Sequence, residues 1–224
     1  MYENLKAKVN AYYDNQAVKF AADLETMTAS YALDHWYYVD RMTNAAFEAA
    51  QAAKAVSIDE LLPEVCKAKM IKKFSRENEK DRADALAKLE AAEACNPLES
   101  VTFSVEWASN KTWGKNPAAT VEAYSSTRRT TTGGKASGCG YDKESAAIAA
   151  ACNCNPQFMR MLYDHAENGG EFSYSVYVGK NGLPFVDGGC GMSCWRSVFT
   201  DCGYTFEDVY HGKNADVYKA YKIK

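Results

Sequence analysis

Glycine is missing from the first 113 residues of this 224-residue chain; all fourteen glycines fall between Gly114 and Gly212. Glycine weakens helices and supplies turns, so its absence excludes a turn-rich first half and predicts a long helical stretch. No apolar run approaches the ~18 residues of a membrane span. The opening MYENLKAKVN is charged and polar where a leader peptide needs an apolar core. A cytoplasmic chain with no membrane attachment is therefore expected, its eight cysteines held as thiols. A surplus of one charge is also lacking: 26 basic against 29 acidic side chains give a net charge of −3. This excludes a whole-protein pull toward nucleic acid or anionic lipid but leaves a local basic patch open.

The chain changes character at Asn96-Pro97, directly after the alanine-rich run ALAKLEAAEA. Proline stops the helix there, and the alternation VTFSVEW follows. Two domains are expected, a helical one over 1–96 and an α+β one over 97–224. In the first, Leu5, Val9, Tyr12, Phe20, Leu24 and Met27 keep helical spacing. A second helix carries Tyr31, Trp36, Val39, Met42 and Phe47, and Ser57 with Glu60 forms a capping box for a third, whose apolar face is Leu61, Leu62, Val65, Met70, Ile71 and Phe74. A separate last helix over 76–95 is weakly apolar, which points to a solvated connector or to a homodimer through this half. A helical hairpin or small bundle results.

In the second domain, Val101, Phe103, Val105 and Trp107 alternate with polar residues as a half-buried strand, and 119–124 is its partner. The polar SSTRRTTTGGKASG then leads to a helix over 141–152. Asn155-Pro156 reads as cap and first turn of another helix, stopped at Asn168-Gly169. Phe172, Tyr174, Val176 and Val178 alternate as a third strand. A short helix with Met192, Trp195, Val198, Phe199 and Cys202 follows, closed by Gly203, and the arms YTFEDVY and DVYKAYKI make a terminal hairpin. The expected class is α+β: helical hairpin or bundle first, then a mostly antiparallel sheet with helices on one face. Strand, partner, Gly-Cys-Gly and helix occur twice, which suggests two ββα-type half-repeats.

The two tripeptides, Gly138-Cys139-Gly140 and Gly189-Cys190-Gly191, each precede a helix. Backbone N–H groups at a helix start favour anions and lower a thiol's pKa, so each turn is a candidate phosphate cradle or reactive cysteine. The alternative is a plain strand-to-helix bend with a small cysteine packed inward. Neither turn is a P-loop or a dinucleotide fingerprint. A thiol enzyme would draw its nucleophile from Cys139, Cys190 and Cys194 and its base from His165 or His211. Cys152 with Cys154 and Cys190 with Cys194 do not match the paired spacing of structural zinc, and no metal or other cofactor is expected.

Between Pro97 and Gly138, five basic residues (Lys111, Lys115, Arg128, Arg129, Lys135) face three acids, and Trp107, Trp113 and Tyr124 lie among them. Single-strand binders combine cations for phosphates with aromatics for bases in this way. The run from the second strand to ASGCGYDKESAAIAAA resembles the end of a double-stranded RNA-binding domain in shape. That family opens its helix with a lysine cluster, whereas here Asp142 and Glu144 flank the single Lys143. The phrases ASGCGYDKESAAIA and GGCGMSC resemble those of proteins from bacteriophages and bacterial mobile elements, over about residues 100–224. The resemblance implies an accessory role in such an element and carries no activity onto any residue.

Three readings follow. The first is a non-catalytic binding protein that contacts a phosphate-bearing ligand, single-stranded nucleic acid or a nucleotide, through Arg128, Arg129, Lys135, Lys143, Trp107, Trp113 and the glycines of the two turns. The second is an accessory factor that binds a host protein through its helical half. The third is a cysteine-dependent enzyme.

Overall fold

The computed structural model describes residues 1–26, 64–107, 117–136, 143–173, 175–189 and 192–224. The second predicted helix, the Ser57–Glu60 cap, Lys111, Trp113, Lys115, Gly138, Cys139, Gly140, Cys190 and Gly191 lie outside the described residues. The chain forms two compact units, Asn10–Asp84 and a second that joins Met1–Val9 to Ala85–Lys224.

The helices α1 (Glu3–Thr26) and α2 (Glu64–Glu93) run through both units. Within Asn10–Asp84 they pack side by side in antiparallel directions. Phe20 stacks on Phe74 at 4.1 Å, Asn78 donates to the Tyr13 carbonyl at 3.1 Å, and Arg82 bridges Asp14 at 2.5 Å. The break expected between a third helix and the helix over 76–95 is absent, because Ser75-Arg76 holds no glycine or proline to interrupt the backbone ladder. Ile71, expected on the apolar face, is 46% exposed. No described helix is long and apolar enough to cross a membrane.

In the second unit, five strands form one antiparallel sheet. They are β1 (Ser100–Glu106), β2 (Ala118–Tyr124), β3 (Arg129–Lys135), β6 (Tyr204–His211) and β7 (Ala215–Lys222), in the order β3-β2-β1-β7-β6. A separate hairpin joins β4 (Val176–Val178) to β5 (Pro184–Val186). The helices are α3 (Lys143–Asn153), α4 (Pro156–Glu167) and α5 (Met192–Asp201). The fold is α+β, as expected.

One face of the sheet carries the core. Val101, Phe103, Val105, Val121, Ala123 and Ala220 are fully buried, and the Phe103 ring meets Trp195 and Phe199 of α5. Phe158 of α4 closes on Phe199 from the other side. Asn155 caps α4 as the sequence predicts, accepting from the amides of Gln157 and Phe158 at 2.9 and 3.1 Å. Close approach explains one glycine: a Cβ at Gly134 would lie 2.5 Å from the backbone nitrogen of Ala151, so only glycine lets α3 settle on β3.

Two strand expectations need correction. β3 occupies the polar stretch taken as a lead into the helix. Its seven residues pair fully with β2, and backbone hydrogen bonds rather than an apolar pattern hold it there. The third predicted strand is only three residues long, because Gly170–Ser173 runs irregularly and Ser173 N donates to the Asp201 carboxylate. The expected first half-repeat, β1 and β2 leading to α3, is interrupted by β3; a hairpin followed by a helix occurs instead as β2-β3-α3 and as β4-β5-α5, and these two hairpins belong to different sheets.

Candidate nucleic-acid interface

Because side chains alternate along a strand, the residues between the buried ones of β1, β2 and β7 project from the opposite face. The described helices of this unit pack on the core face or, for the ends of α1 and α2, on α4. Register fixes the rows across the other, open face. The first row runs Arg129, Tyr124, Ser100, Tyr221, Thr205 from β3 to β6. The next runs Thr131, Glu122, Thr102, Lys219, Glu207.

Two constellations of the same chemistry stand on these rows. In one, Tyr124 donates its hydroxyl to Glu122 Oε2 at 2.6 Å, Arg129 pairs with Glu122 Oε1, and the Arg129 guanidinium lies 5.4 Å from the Tyr124 ring centre. In the other, Tyr221 donates to Glu207 Oε2 at 2.6 Å and the Lys219 ammonium lies 5.5 Å from the Tyr221 ring. Hydrogen bonds from Tyr124 and then from Arg129 hold the Glu122 carboxyl below its ordinary value of 4.5. The hydrogen bond to Glu122 raises the Tyr124 phenol and the one to Glu207 raises the Tyr221 phenol, since each donates its proton to a carboxylate. Two strand spacings separate the tyrosines, roughly 10 Å. A cation lies over each ring, and Ser100 and Thr102 stand on the strand between the two tyrosines. Such a surface can stack bases and neutralise phosphates.

The predicted site residues divide between the two ends of the sheet. Arg129 and Lys135 are exposed at opposite ends of β3, about 20 Å apart for a seven-residue strand. Arg128 is exposed in the tight turn before β3, its carbonyl accepting from Ser125 N at 3.0 Å. Trp107 lies at the Lys135 end on the core side, and its indole N–H donates to Asp216 at 3.3 Å. Lys143 opens α3. A Cβ at Gly188 would fall 2.3 Å from the Cα of Ala146, so Gly188 rests on the first turn of α3. Acids already stand at both places. Glu144 is buried in the first turn of α3, and Asp187 accepts from the amide of Gly189 at 3.1 Å.

Of the candidate thiols, Cys194 alone lies among the described residues. Cys194 is buried in α5, and His211 is exposed beside Asp216 at 3.3 Å and Asp208 at 3.9 Å. His165 places Nε2 2.9 Å from the Glu171 carbonyl and borders a cavity of about 160 Å³ with Asp164, Cys202, Tyr204 and Lys222. The sequence reading did not pair Cys202 with this histidine. Burial first, then the neighbouring Asp201, pushes the Cys202 thiol up to about 12, so it stays protonated at neutral pH. Among the described residues, no group of three or more His, Cys, Asp or Glu side chains is placed to hold a metal ion.

The residues missed by sequence are Glu122, Lys219, Tyr221 and Glu207. One signal was available: in DVYKAYKI, placing Tyr218 and Ala220 inward sends Lys219 and Tyr221 outward. No protein-family model matches the chain, and no curated protein or solved structure matches it.

Proposed function

We propose that the α+β unit is a non-catalytic binding module that lays single-stranded nucleic acid across the open face of its sheet. One observation carries this reading: two tyrosines on that face, each with a cation within about 5.5 Å of its ring. Stacking on exposed aromatics is tolerant of sequence, and the cations meet the backbone. Arg128 and Arg129 extend the positive charge past the β3 edge at the tyrosine row. The resemblance of ASGCGYDKESAAIA and GGCGMSC to phage and mobile-element proteins supports an accessory role in such an element.

Salt dependence tests the reading. Binding of a labelled single strand of about ten nucleotides should weaken with salt, each phosphate contact adding roughly 0.7 to the slope of log K against log salt. Replacing Arg128 and Arg129 with alanine together should lower that slope by about one to two, and replacing Lys135, at the far end, by less. An unchanged slope in the arginine variant refutes the nucleic-acid reading.

A second reading, an accessory factor that binds a host protein, is favoured by the β4–β5 hairpin, where Tyr177, Val178 and Phe185 are 40%, 69% and 40% exposed.

A further inference from the structure

A stacking platform needs only rings and cations, yet both tyrosines on the open face are tied to a glutamate. The partner is a glutamate at both positions: Tyr124 bonds Glu122 along its own strand and Tyr221 bonds Glu207 across to β6, each through a 2.6 Å hydrogen bond from the phenol. Carboxylates repel phosphates, so on a surface that only gripped a backbone they would weaken binding. Their place at the hydroxyl tips of the rings points to the edges of stacked bases.

From this geometry we infer that Glu122 and Glu207 read base edges, and that the open face prefers single strands containing guanine over strands of thymine or uracil alone. The inference rests on the single-strand reading above. An ionised carboxylate only accepts hydrogen bonds, about two at each oxygen. At Glu122 the Tyr124 hydroxyl takes one position on Oε2 and Arg129 one on Oε1, which leaves each oxygen able to accept again. Guanine presents two adjacent donors, N1–H and the N2 amino group, on one edge, matched to the two oxygens of a carboxylate. Thymine and uracil present one N–H between two carbonyl oxygens, which the carboxylate repels. Cytosine and adenine each offer an amino group beside a ring-nitrogen lone pair and fall between. The cation over each ring, Arg129 or Lys219, is the group within reach of the phosphate of a nucleotide bound at that subsite. With the tyrosines roughly 10 Å apart, the two subsites take two bases of one strand crossing the sheet along the Tyr124–Ser100–Tyr221 row.

Fluorescence anisotropy with end-labelled d(TG)-repeat and oligo-dT strands of equal length, at one salt concentration, tests this on the full chain. The d(TG) strand should bind at least about fivefold tighter, the low end for a bidentate base contact. In the double variant Glu122→Gln with Glu207→Gln, the preference should fall to within about twofold, while affinity for oligo-dT holds or rises as two negative charges leave. Gln keeps the shape and the hydrogen bond from tyrosine, so a thermal melt near the wild-type value checks folding. Equal binding of both strands by the wild-type chain overturns the inference and leaves the single-strand reading standing. A preference that survives in the Gln variant also overturns it. Binding to neither strand overturns both.

Discussion

The two faces of the five-stranded sheet are built from alternate residues of the same strands and do opposite work. On the core face, Val101, Phe103 and Val105 are fully buried and the Phe103 ring packs on Trp195 and Phe199, so the side chains are chosen for volume and shape. On the open face the same strands carry Ser100, Thr102, Glu122, Tyr124, Lys219 and Tyr221, with polar contacts along β2 and β7 and across to β3 and β6. A period of two allows one strand to serve both purposes without compromise. A substitution should therefore change stability on one face and binding on the other.

The sharpest break of this contrast comes from the core. Phe103→Ala removes a ring packed against two aromatics and should destabilise the fold by about 3–5 kcal/mol, seen as a lower midpoint in urea. Gly134→Ala forces a methyl group against the backbone of α3 and should lower the same midpoint by less, for a loss of about 1–3 kcal/mol. Asn155→Ala strips two amides of their cap at the start of α4, for about 1–2 kcal/mol. The open face supplies the smallest effect. Glu122→Gln should change stability by less than about 1 kcal/mol, since its partners are at the surface. The sign is set by the depressed carboxyl: its contribution is complete above 4.5, the ordinary value, and is lost as pH falls through the lower folded value. The stability difference between the native chain and the Glu122→Gln variant should therefore shrink in acid, which melts over a pH series will check.

How far the sequence was readable follows from the same contrast. The core strands announced themselves because Val101, Phe103 and Val105 alternate with polar residues, and the Asn155-Pro156 start of α4 was legible from its own chemistry. β3 was not. Its inward positions are Thr130, Thr132 and Gly134, small or polar residues with no apolar period, and its strand state depends on pairing with β2. The length of α2 was misread from a weak apolar signal, though Ala85, Leu89 and Ala92 are buried near its end. Arg128, Arg129 and Lys135 were visible as cations, but only the register shows that Arg129 stands with Tyr124 while Lys135 lies at the other end of the strand. Cross-strand partners such as Glu207 and Tyr221 are fourteen residues apart in the chain and meet only once the terminal hairpin is in register.

The most direct test of the account is the affinity of the double variant Tyr124→Ala with Tyr221→Ala for a labelled single strand, measured beside its thermal melt. Loss of two stacking surfaces should weaken binding by at least about tenfold, with the melt little changed. Wild-type affinity in a folded double variant would contradict the claim that the open face of the sheet is the binding surface.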